Sequence, residues 1–174
     1  GRQLNSCTVG IIGCGHIGKD LVKLLQPFEC NILAHDILDF PDFYEMHNVK
    51  PVSLNMLLRS SDVITLHLPL NKSTYHLLSL ERLHLIKHGA ILINLARGGL
   101  IDEKVLKRML QSGSISGLSL DVLEEEPDID LDLVETENVF ITPHIGGSTQ
   151  EAIIAMGMSA IEGLDKHKNS LQFI

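Results

Sequence analysis

Aromatic and basic residues are scarce in this sequence of 174 residues. It has no Trp, only 4% aromatic residues, and 14 Lys and Arg against 22 Asp and Glu, for a formal net charge of −8. Because no basic run is present, we expect no nucleic-acid partner. A core with so few aromatic rings has to consist of Leu, Ile and Val, and a chain of this length is sufficient for one domain with such a core.

Long apolar runs and paired cysteines are also lacking. No run approaches the roughly 18 apolar residues of a membrane-spanning helix, and no secretion signal is visible at the N-terminus. The three cysteines, Cys7, Cys14 and Cys30, are odd in number and do not have the spacing of a metal site. We therefore expect a protein of the reducing cytoplasm with no membrane segment, no metal and no disulfide framework.

The most informative stretch of the chain runs from Thr8 to Gly18. It begins with a short apolar, β-branched run, which is typical of a buried strand. Gly13-x-Gly15-x-x-Gly18 follows, and then apolar residues at helical spacing. Strand, glycine loop and helix are the context in which this motif indicates a dinucleotide site, with the pyrophosphate at the helix N-terminus. The alternative is a glycine-rich turn that binds no ligand.

A second apolar segment, residues 31–36, ends in the acid Asp36. It follows Gly18 at nearly the spacing, roughly 20 residues, expected of the acid that binds the adenosine ribose. A carboxylate there accepts hydrogen bonds from the ribose diol and repels a 2′-phosphate. The sequence therefore predicts NAD rather than NADP as the cofactor.

Segments of strand character alternate with segments of helical periodicity along the rest of the chain. This alternation predicts an α/β fold with a doubly wound parallel sheet. We expect Ser53, Asp102 and Ser148 to cap helices, and residues 39–43 and the acidic residues 121–137 to form loops. The later strands are predicted at 31–36, 50–52, 62–68, 90–94, 115–122 and 138–142, and the helices up to residue 26 and at 54–59, 80–87, 103–110 and 148–168.

Three polar groups follow predicted strands, at the sheet edge where open α/β folds bind ligands: Arg97, Glu126 and His144. An arginine can hold a substrate carboxylate with two hydrogen bonds. A histidine can exchange a proton with a hydroxyl or carbonyl group, and a carboxylate can orient the imidazole and favour its protonated form. The three residue types together predict a site for hydride transfer.

Four motifs occur in order along the chain: Gly13–Gly18, Asn94-Leu-Ala-Arg97-Gly, Asp121-Val with Glu126-Pro, and Pro143-His-Ile-Gly-Gly-Ser-Thr. Together they resemble the D-isomer-specific 2-hydroxyacid dehydrogenases, a family that includes D-3-phosphoglycerate dehydrogenase. The resemblance implies a Rossmann cofactor domain that binds NAD, a small 2-hydroxy or 2-oxo acid as substrate, a homodimer, and Arg97, Glu126 and His144 as catalytic residues. The choice of Glu126 over its acidic neighbours rests on the Glu-Pro pair of that family.

The resemblance also implies the residues that contact the cofactor. Beside Gly13, Gly15 and Gly18, these are His16 and Ile17 at the phosphates, Asp36 at the ribose, Leu68 at the adenosine, Leu95, Ala96 and Arg97 on the nicotinamide side, Asp121 at the carboxamide, and His144 to Gly147 over the ring.

Two features depart from the family pattern. Position 16 is His, where many members carry a long basic side chain, so we expect modest affinity for NAD. The part of the substrate-binding domain that precedes the cofactor domain in this family is not in the sequence. We therefore expect residues 1–147 to be the dinucleotide-binding domain and residues 148–174 to be a helix that crosses to the substrate domain. Such a chain should fold, bind NAD and turn nothing over.

Two other functions are compatible with parts of the sequence. Some NAD-sensing transcriptional corepressors resemble this family and keep the same three polar residues, so a binding role is the first alternative. A methyltransferase-like use of the glycine loop is the second, although it gives Arg97, Glu126 and His144 no task. Formate dehydrogenases of the family carry Gln at the position of Glu126, which disfavours that activity.

Overall fold

In the computed structural model, which describes residues 1–128 and 130–165, seven strands form one sheet in which all neighbours are parallel. The strand order is β3-β2-β1-β4-β5-β6-β7, so the direction of winding reverses between β1 and β4. The predicted doubly wound α/β fold is confirmed. The strands are β1 (Thr8–Ile12), β2 (Asn31–His35), β3 (Val49–Pro51), β4 (Val63–Leu66), β5 (Ala90–Asn94), β6 (Ile115–Leu120) and β7 (Val139–Ile141).

The helices connect the strands and start at the predicted caps in two cases. The Ser53 hydroxyl accepts a hydrogen bond from the Met56 N–H, and the Asp102 carboxylate accepts one from the Val105 N–H. Both bonds satisfy amides that have no partner within their helix. The helices are α1 (His16–Leu25), α2 (Pro41–Met46), α3 (Leu54–Ser60), α4 (Leu80–Leu83), α5 (Glu103–Gln111), α6 (Leu131–Val134) and α7 (Gln150–Asp165).

Two hydrophobic clusters pack on opposite faces of the sheet. Along β1, Val9 and Ile11 belong to one cluster and Ile12 to the other, as the alternation of side chains in a strand requires. Helix α1 contributes Val22 to the first cluster, and α3 contributes Leu57 to the second. Helices therefore cover both faces of the central strands.

The chain divides into two compact units, Gly1–Thr142 and Pro143–Ile174. The first contains the whole sheet, and the described part of the second contains α7. The assignment of residues 148–174 to a separate segment remains a prediction. The predicted end of its helix, near Lys168, lies outside the described residues. No helix in the described part of the chain is long and apolar enough to cross a membrane.

Three predicted boundaries are wrong. Strands β4 and β6 end at Leu66 and Leu120, two residues early, because these residues pair with Ile12 and Asn94, where the neighbouring strands β1 and β5 stop. Helix α4 ends at Leu83 rather than at residue 87. The amides of residues 85 and 86 donate to carbonyls only three residues back, and the N–H of residue 87 donates to α3 instead.

Three further expectations are corrected by local capping. Residues 121–137 are not one continuous loop, because Asp130 caps α6 and pairs, like Asp132, with Lys107 of α5. Helix α2 begins inside the predicted loop 39–43, with a proline at its first position. At α7 the Ala152 N–H donates to the hydroxyl of Thr149. Thr149 therefore provides the capping bond that was predicted for Ser148.

Candidate functional site

The glycine loop between β1 and α1 has a backbone that only glycine can form. Gly13 has φ of +94°, and a Cβ atom there would overlap the backbone carbonyl of His67. A Cβ atom on Gly18 would overlap the carbonyl oxygen of Gly13, so the first turn of α1 packs directly on the loop. A Cβ atom on Gly15 would meet no atom within 4 Å. The loop thus leaves open space at the N-terminus of α1, which fits a pyrophosphate.

Asp36 follows β2 and joins the loop to the sheet. Its Oδ2 atom accepts a hydrogen bond from the Cys14 N–H at 2.6 Å, and its Oδ1 atom accepts one from the Leu38 N–H at 2.9 Å. A carboxylate has about four acceptor positions, so two hydrogen bonds leave capacity for a ribose diol. The acid that was predicted from spacing therefore lies at the glycine loop, and its contact with an adenosine ribose stays a prediction.

The other residues predicted on the nucleotide side lie around this loop. His16 and Ile17 form the exposed start of α1, and Leu68 is half-buried just after β4. The backbone of His67 is in contact with Gly13, so the segment that carries Leu68 adjoins the glycine loop. This arrangement fits a dinucleotide that runs from β2 towards β4.

The turn after β5 is fixed by Asn94, which is 1% exposed. Its side-chain amide donates to the Arg97 carbonyl at 2.9 Å and accepts from the Ala96 N–H at 3.1 Å. Leu95 and Arg97 are exposed, and the Arg97 guanidinium donates to the Ala96 carbonyl at 2.6 Å. Sequence reasoning assigned no role to Asn94, although an Asn at a strand end before a turn is a recognisable signal for such bonds.

The turn that carries Arg97 touches the loop that carries Glu126. A Cβ atom on Gly98 would overlap the backbone carbonyl of Leu123, so the two segments are in direct backbone contact. The structure therefore brings the segments of Arg97 and Glu126 together at the carboxyl edge of the sheet. The glycine after Arg97 was a visible signal for this close approach, but sequence reasoning did not use it.

The loop after β6 begins with a buried acid. Asp121 is 3% exposed, its N–H donates to the Asn94 carbonyl, and its carboxylate accepts a hydrogen bond from the Thr142 hydroxyl. Asp121 therefore lies beside the β5 turn. The bond from Thr142 also ties the end of β7 to the same edge.

Glu126 lies further along this loop, where it is exposed and joined to Pro127 by a cis peptide bond. Its Oε1 atom accepts a hydrogen bond from the Leu123 N–H at 2.7 Å. The next amide, of Glu124, donates to Glu103 at 2.8 Å. Burial raises the pKa of Glu103 from its ordinary value to about 7, and the neighbouring acids of the loop add to this effect.

His144 and Gly147 belong to the second unit and are exposed. His144 has φ of +54°, in the left-handed region that costs a non-glycine residue on the order of 1–3 kcal/mol. The Ser148 N–H donates to the Ile145 carbonyl at 3.0 Å and closes a turn before α7. Strained residues of this kind cluster at functional sites, which is compatible with the predicted role of His144.

Metal chemistry receives no support from the geometry. Within residues 1–128 and 130–165, no group of three or more His, Cys, Asp or Glu side chains is arranged to hold a metal ion.

Known proteins resemble this chain over nearly its whole length. Residues 1–146 match the family described as D-isomer specific 2-hydroxyacid dehydrogenase, NAD binding domain. The D-3-phosphoglycerate dehydrogenase of Methanocaldococcus jannaschii is 42% identical over 167 residues, which are 95% of this chain and 32% of that protein.

Two solved structures show the same fold. The glyoxylate reductase of Paecilomyes thermophila superposes with a TM-score of 0.88 at 37% identity, over 95% of this chain and 50% of that one. The D-lactate dehydrogenase of Aquifex aeolicus, in complex with NAD and lactic acid, gives 0.85 at 34% identity, over 95% of this chain and 55% of that one.

The chain thus spans about a third of the first relative and about half of each structure. All three are named as dehydrogenases or reductases, which gives the corepressor alternative no support. The predicted cofactor, NAD, agrees with the description of the family and with the cofactor bound in the lactate dehydrogenase. The chain belongs to the D-isomer-specific 2-hydroxyacid dehydrogenase family and contains its NAD-binding domain.

Proposed function

We propose that the natural polypeptide containing this chain is an NAD-dependent D-2-hydroxyacid dehydrogenase, which interconverts a D-2-hydroxy acid and its 2-oxo acid. The observation that carries this proposal is the backbone contact between the Arg97 turn and the Glu126 loop, at the same sheet edge as the glycine loop. A cation and a carboxylate thereby adjoin a site with the features of a dinucleotide pocket. Bound NAD would supply the hydride acceptor, or in reverse the donor, at C4 of its nicotinamide ring.

Each of the three polar residues has one task in this proposal. The exposed Arg97 guanidinium holds the carboxylate of the substrate with two hydrogen bonds. His144 takes the hydroxyl proton during oxidation and returns it to the carbonyl oxygen during reduction. Glu126 orients the imidazole and favours its protonated form.

The cofactor contacts follow the chain from the nucleotide to the nicotinamide. In this proposal the amides of His16 and Ile17 bind the phosphates, Asp36 binds the ribose and Leu68 lies against the adenosine. Leu95, Ala96 and Arg97 line the nicotinamide side, Asp121 accepts a hydrogen bond from the carboxamide, and His144 to Gly147 lie over the ring.

The domain division, assembly and location belong to the same proposal. The family match over residues 1–146 supports a cofactor domain of residues 1–147, followed by a segment that leads to the substrate domain. Ile91 and Phe140 lie on the sheet and are 41% and 65% exposed, which favours pairing of two copies. The thiols of Cys7, Cys14 and Cys30 are not joined to one another, as is usual in the cytoplasm. Analytical ultracentrifugation and cell fractionation test the dimer and the location.

The test of the mechanism is kinetic and uses the natural polypeptide that contains this chain. Arg97→Ala and His144→Ala should each abolish most turnover with NADH and 2-oxo acids such as glyoxylate, pyruvate and hydroxypyruvate, or with NAD and D-3-phosphoglycerate. The matched controls are Arg59→Ala and His88→Ala, which remove exposed side chains of the same types elsewhere. An unchanged kcat/KM in both site variants rules out the proposed mechanism.

A further inference from the structure

The loop that carries Glu126 is held by side chains from two other parts of the chain. We propose that Glu124 is a positioning residue, whose contacts to Tyr75, His76 and Glu103 fix the loop so that the Glu126 carboxylate keeps its place in the active site. This inference rests on the proposed function, in which Glu126 orients the catalytic imidazole.

The Glu124 carboxylate makes two hydrogen bonds with the segment between β4 and α4. Its Oε1 atom accepts one from the Tyr75 hydroxyl at 2.8 Å and lies 2.7 Å from Nε2 of His76. Because an ionised carboxylate only accepts, the ring nitrogen of His76 carries the hydrogen. The side chains of Glu124 and His76 are only 22% and 28% exposed, so water competes less for this pair than for one on the surface.

The partners of Glu124 are themselves fixed in place. The rings of Tyr75 and His76 stack with centroids 4.0 Å apart and an angle of 14° between their planes. His76 has φ of +46°, a strained conformation for this residue, and its N–H donates to the Gly99 carbonyl at 2.8 Å. Gly99 follows the Arg97 turn directly. The contacts of Glu124 therefore connect the Glu126 loop to the backbone next to Arg97.

The backbone of Glu124 explains how its position reaches Glu126. The Glu124 N–H donates to Glu103 Oε1 at 2.8 Å, at the first residue of α5. The preceding amide, of Leu123, donates to the Glu126 carboxylate at 2.7 Å. Two consecutive backbone amides therefore make these bonds, one to the Glu103 carboxylate and the other to the proposed catalytic carboxylate of Glu126. A movement of residue 124 changes the amide on which the Glu126 carboxylate rests.

The experiment is a comparison of single variants in the natural polypeptide that contains this chain. Glu124→Ala should lower kcat by about 10- to 100-fold, the loss expected when a reacting group is misplaced by about 1 Å. The KM of the 2-oxo acid and the dissociation constant of NADH should not change, because Arg97 and the glycine loop keep their contacts. Glu124→Gln should recover part of the loss, since its amide oxygen still accepts from Tyr75.

Glu125→Ala is the matched control. It removes the same charge from an exposed neighbour in the same loop and should leave kcat within about twofold, as for most exposed sites. Tyr75→Phe and His76→Asn each remove one bond to Glu124, and an Asn tolerates the positive φ at position 76. They should give smaller losses of kcat, and they decide the question if Glu124→Ala does not fold.

The outcomes separate this inference from the proposed function. Suppose that Glu126→Gln is inactive but Glu124→Ala has the same kcat as Glu125→Ala. The positioning role is then refuted and the mechanism stands. The same conclusion follows if Tyr75→Phe and His76→Asn both have that kcat. If Glu126→Gln itself keeps full activity, the proposed role of Glu126 fails and the inference fails with it. A loss of kcat with unchanged KM and NADH affinity, together with partial recovery in Glu124→Gln, supports the positioning role.

Discussion

The nucleotide end and the catalytic end of this sheet edge are constructed in different ways. At the nucleotide end, the glycine loop is shaped by its own backbone, with Gly13 and Gly18 in contacts that no side chain permits. At the catalytic end, the loop of Glu126 is held by side chains that are distant in the sequence, such as Tyr75 and Glu103. The comparison shows that one sheet edge combines a site encoded by local spacing with a site that depends on tertiary contacts.

The largest expected effect comes from Gly18→Ala, which disrupts the nucleotide end. The new Cβ atom overlaps the Gly13 carbonyl oxygen, so α1 has to move away from the loop. We expect the free energy of unfolding to fall by about 1–3 kcal/mol. NADH binding should be lost. The control is Gly157→Ala in α7, where the Cβ meets no atom within 4 Å and stability should not fall. Equal stability of both variants in urea denaturation contradicts the packing argument.

Gly15→Ala separates binding from folding at the same loop. Its Cβ atom meets no atom within 4 Å, so the free energy of unfolding should not change. The methyl group would instead occupy space proposed for the pyrophosphate, and NADH affinity should fall about tenfold or more, equivalent to about 1.4 kcal/mol. Fluorescence titration with NADH and thermal denaturation measure the two effects. An unchanged affinity shows that the phosphates do not lie against this residue.

Asp36→Ala tests the choice of cofactor. The carboxylate repels a 2′-phosphate, so the unmutated protein should prefer NAD over NADP. In the variant, the ratio of the NADP dissociation constant to the NAD dissociation constant should fall by about tenfold. This corresponds to one lost charged contact of about 1.4 kcal/mol. Asp39→Ala removes an exposed acid from the next loop and serves as the control. Equal affinity for the two cofactors before mutation refutes the assignment.

The smallest expected effect is the pH dependence of stability that comes from Glu103, whose carboxylate accepts a hydrogen bond from the Glu126 loop. Burial raises the pKa of Glu103 to about 7, so its contribution to stability is present below about pH 4.5 and is lost as the pH rises through 7. Glu103→Gln keeps an acceptor for the Glu124 amide without a charge. After allowance for solvent exposure, its free energy of unfolding should exceed that of the unmutated protein by about 1 kcal/mol at pH 8.

At pH 4 the two proteins should be equally stable. Glu81→Gln, on the exposed side of α4, provides the comparison, because it changes the same group outside this cluster. A stability difference that does not depend on pH contradicts a buried, proton-binding Glu103.

The comparison also explains what could be predicted from the sequence. The alternation of strands and helices, the glycine spacing, Asp36 and the cap at Ser53 depend on neighbours in the sequence, and the structure contains all of them. Helix α6 was missed because its cap, Asp130, pairs with Lys107 of another helix. The hydrogen bonds of Glu124 were missed for the same reason, because contacts to Tyr75 and His76, distant in the sequence, decide which acid of the loop is anchored. The bonds of Asn94 are local and could have been predicted from its place before the turn. The role of His144 stays a prediction.

The most direct test of the division between the two ends is the dissociation constant of NADH for Arg97→Ala, measured together with kcat/KM for a 2-oxo acid. We predict that kcat/KM falls by about 100-fold or more, the cost of leaving a substrate carboxylate unpaired. The dissociation constant should stay within about threefold, because the glycine loop and Asp36 carry most of the binding. A dissociation constant that rises in proportion to the loss of kcat/KM contradicts the account, as does an unchanged kcat/KM.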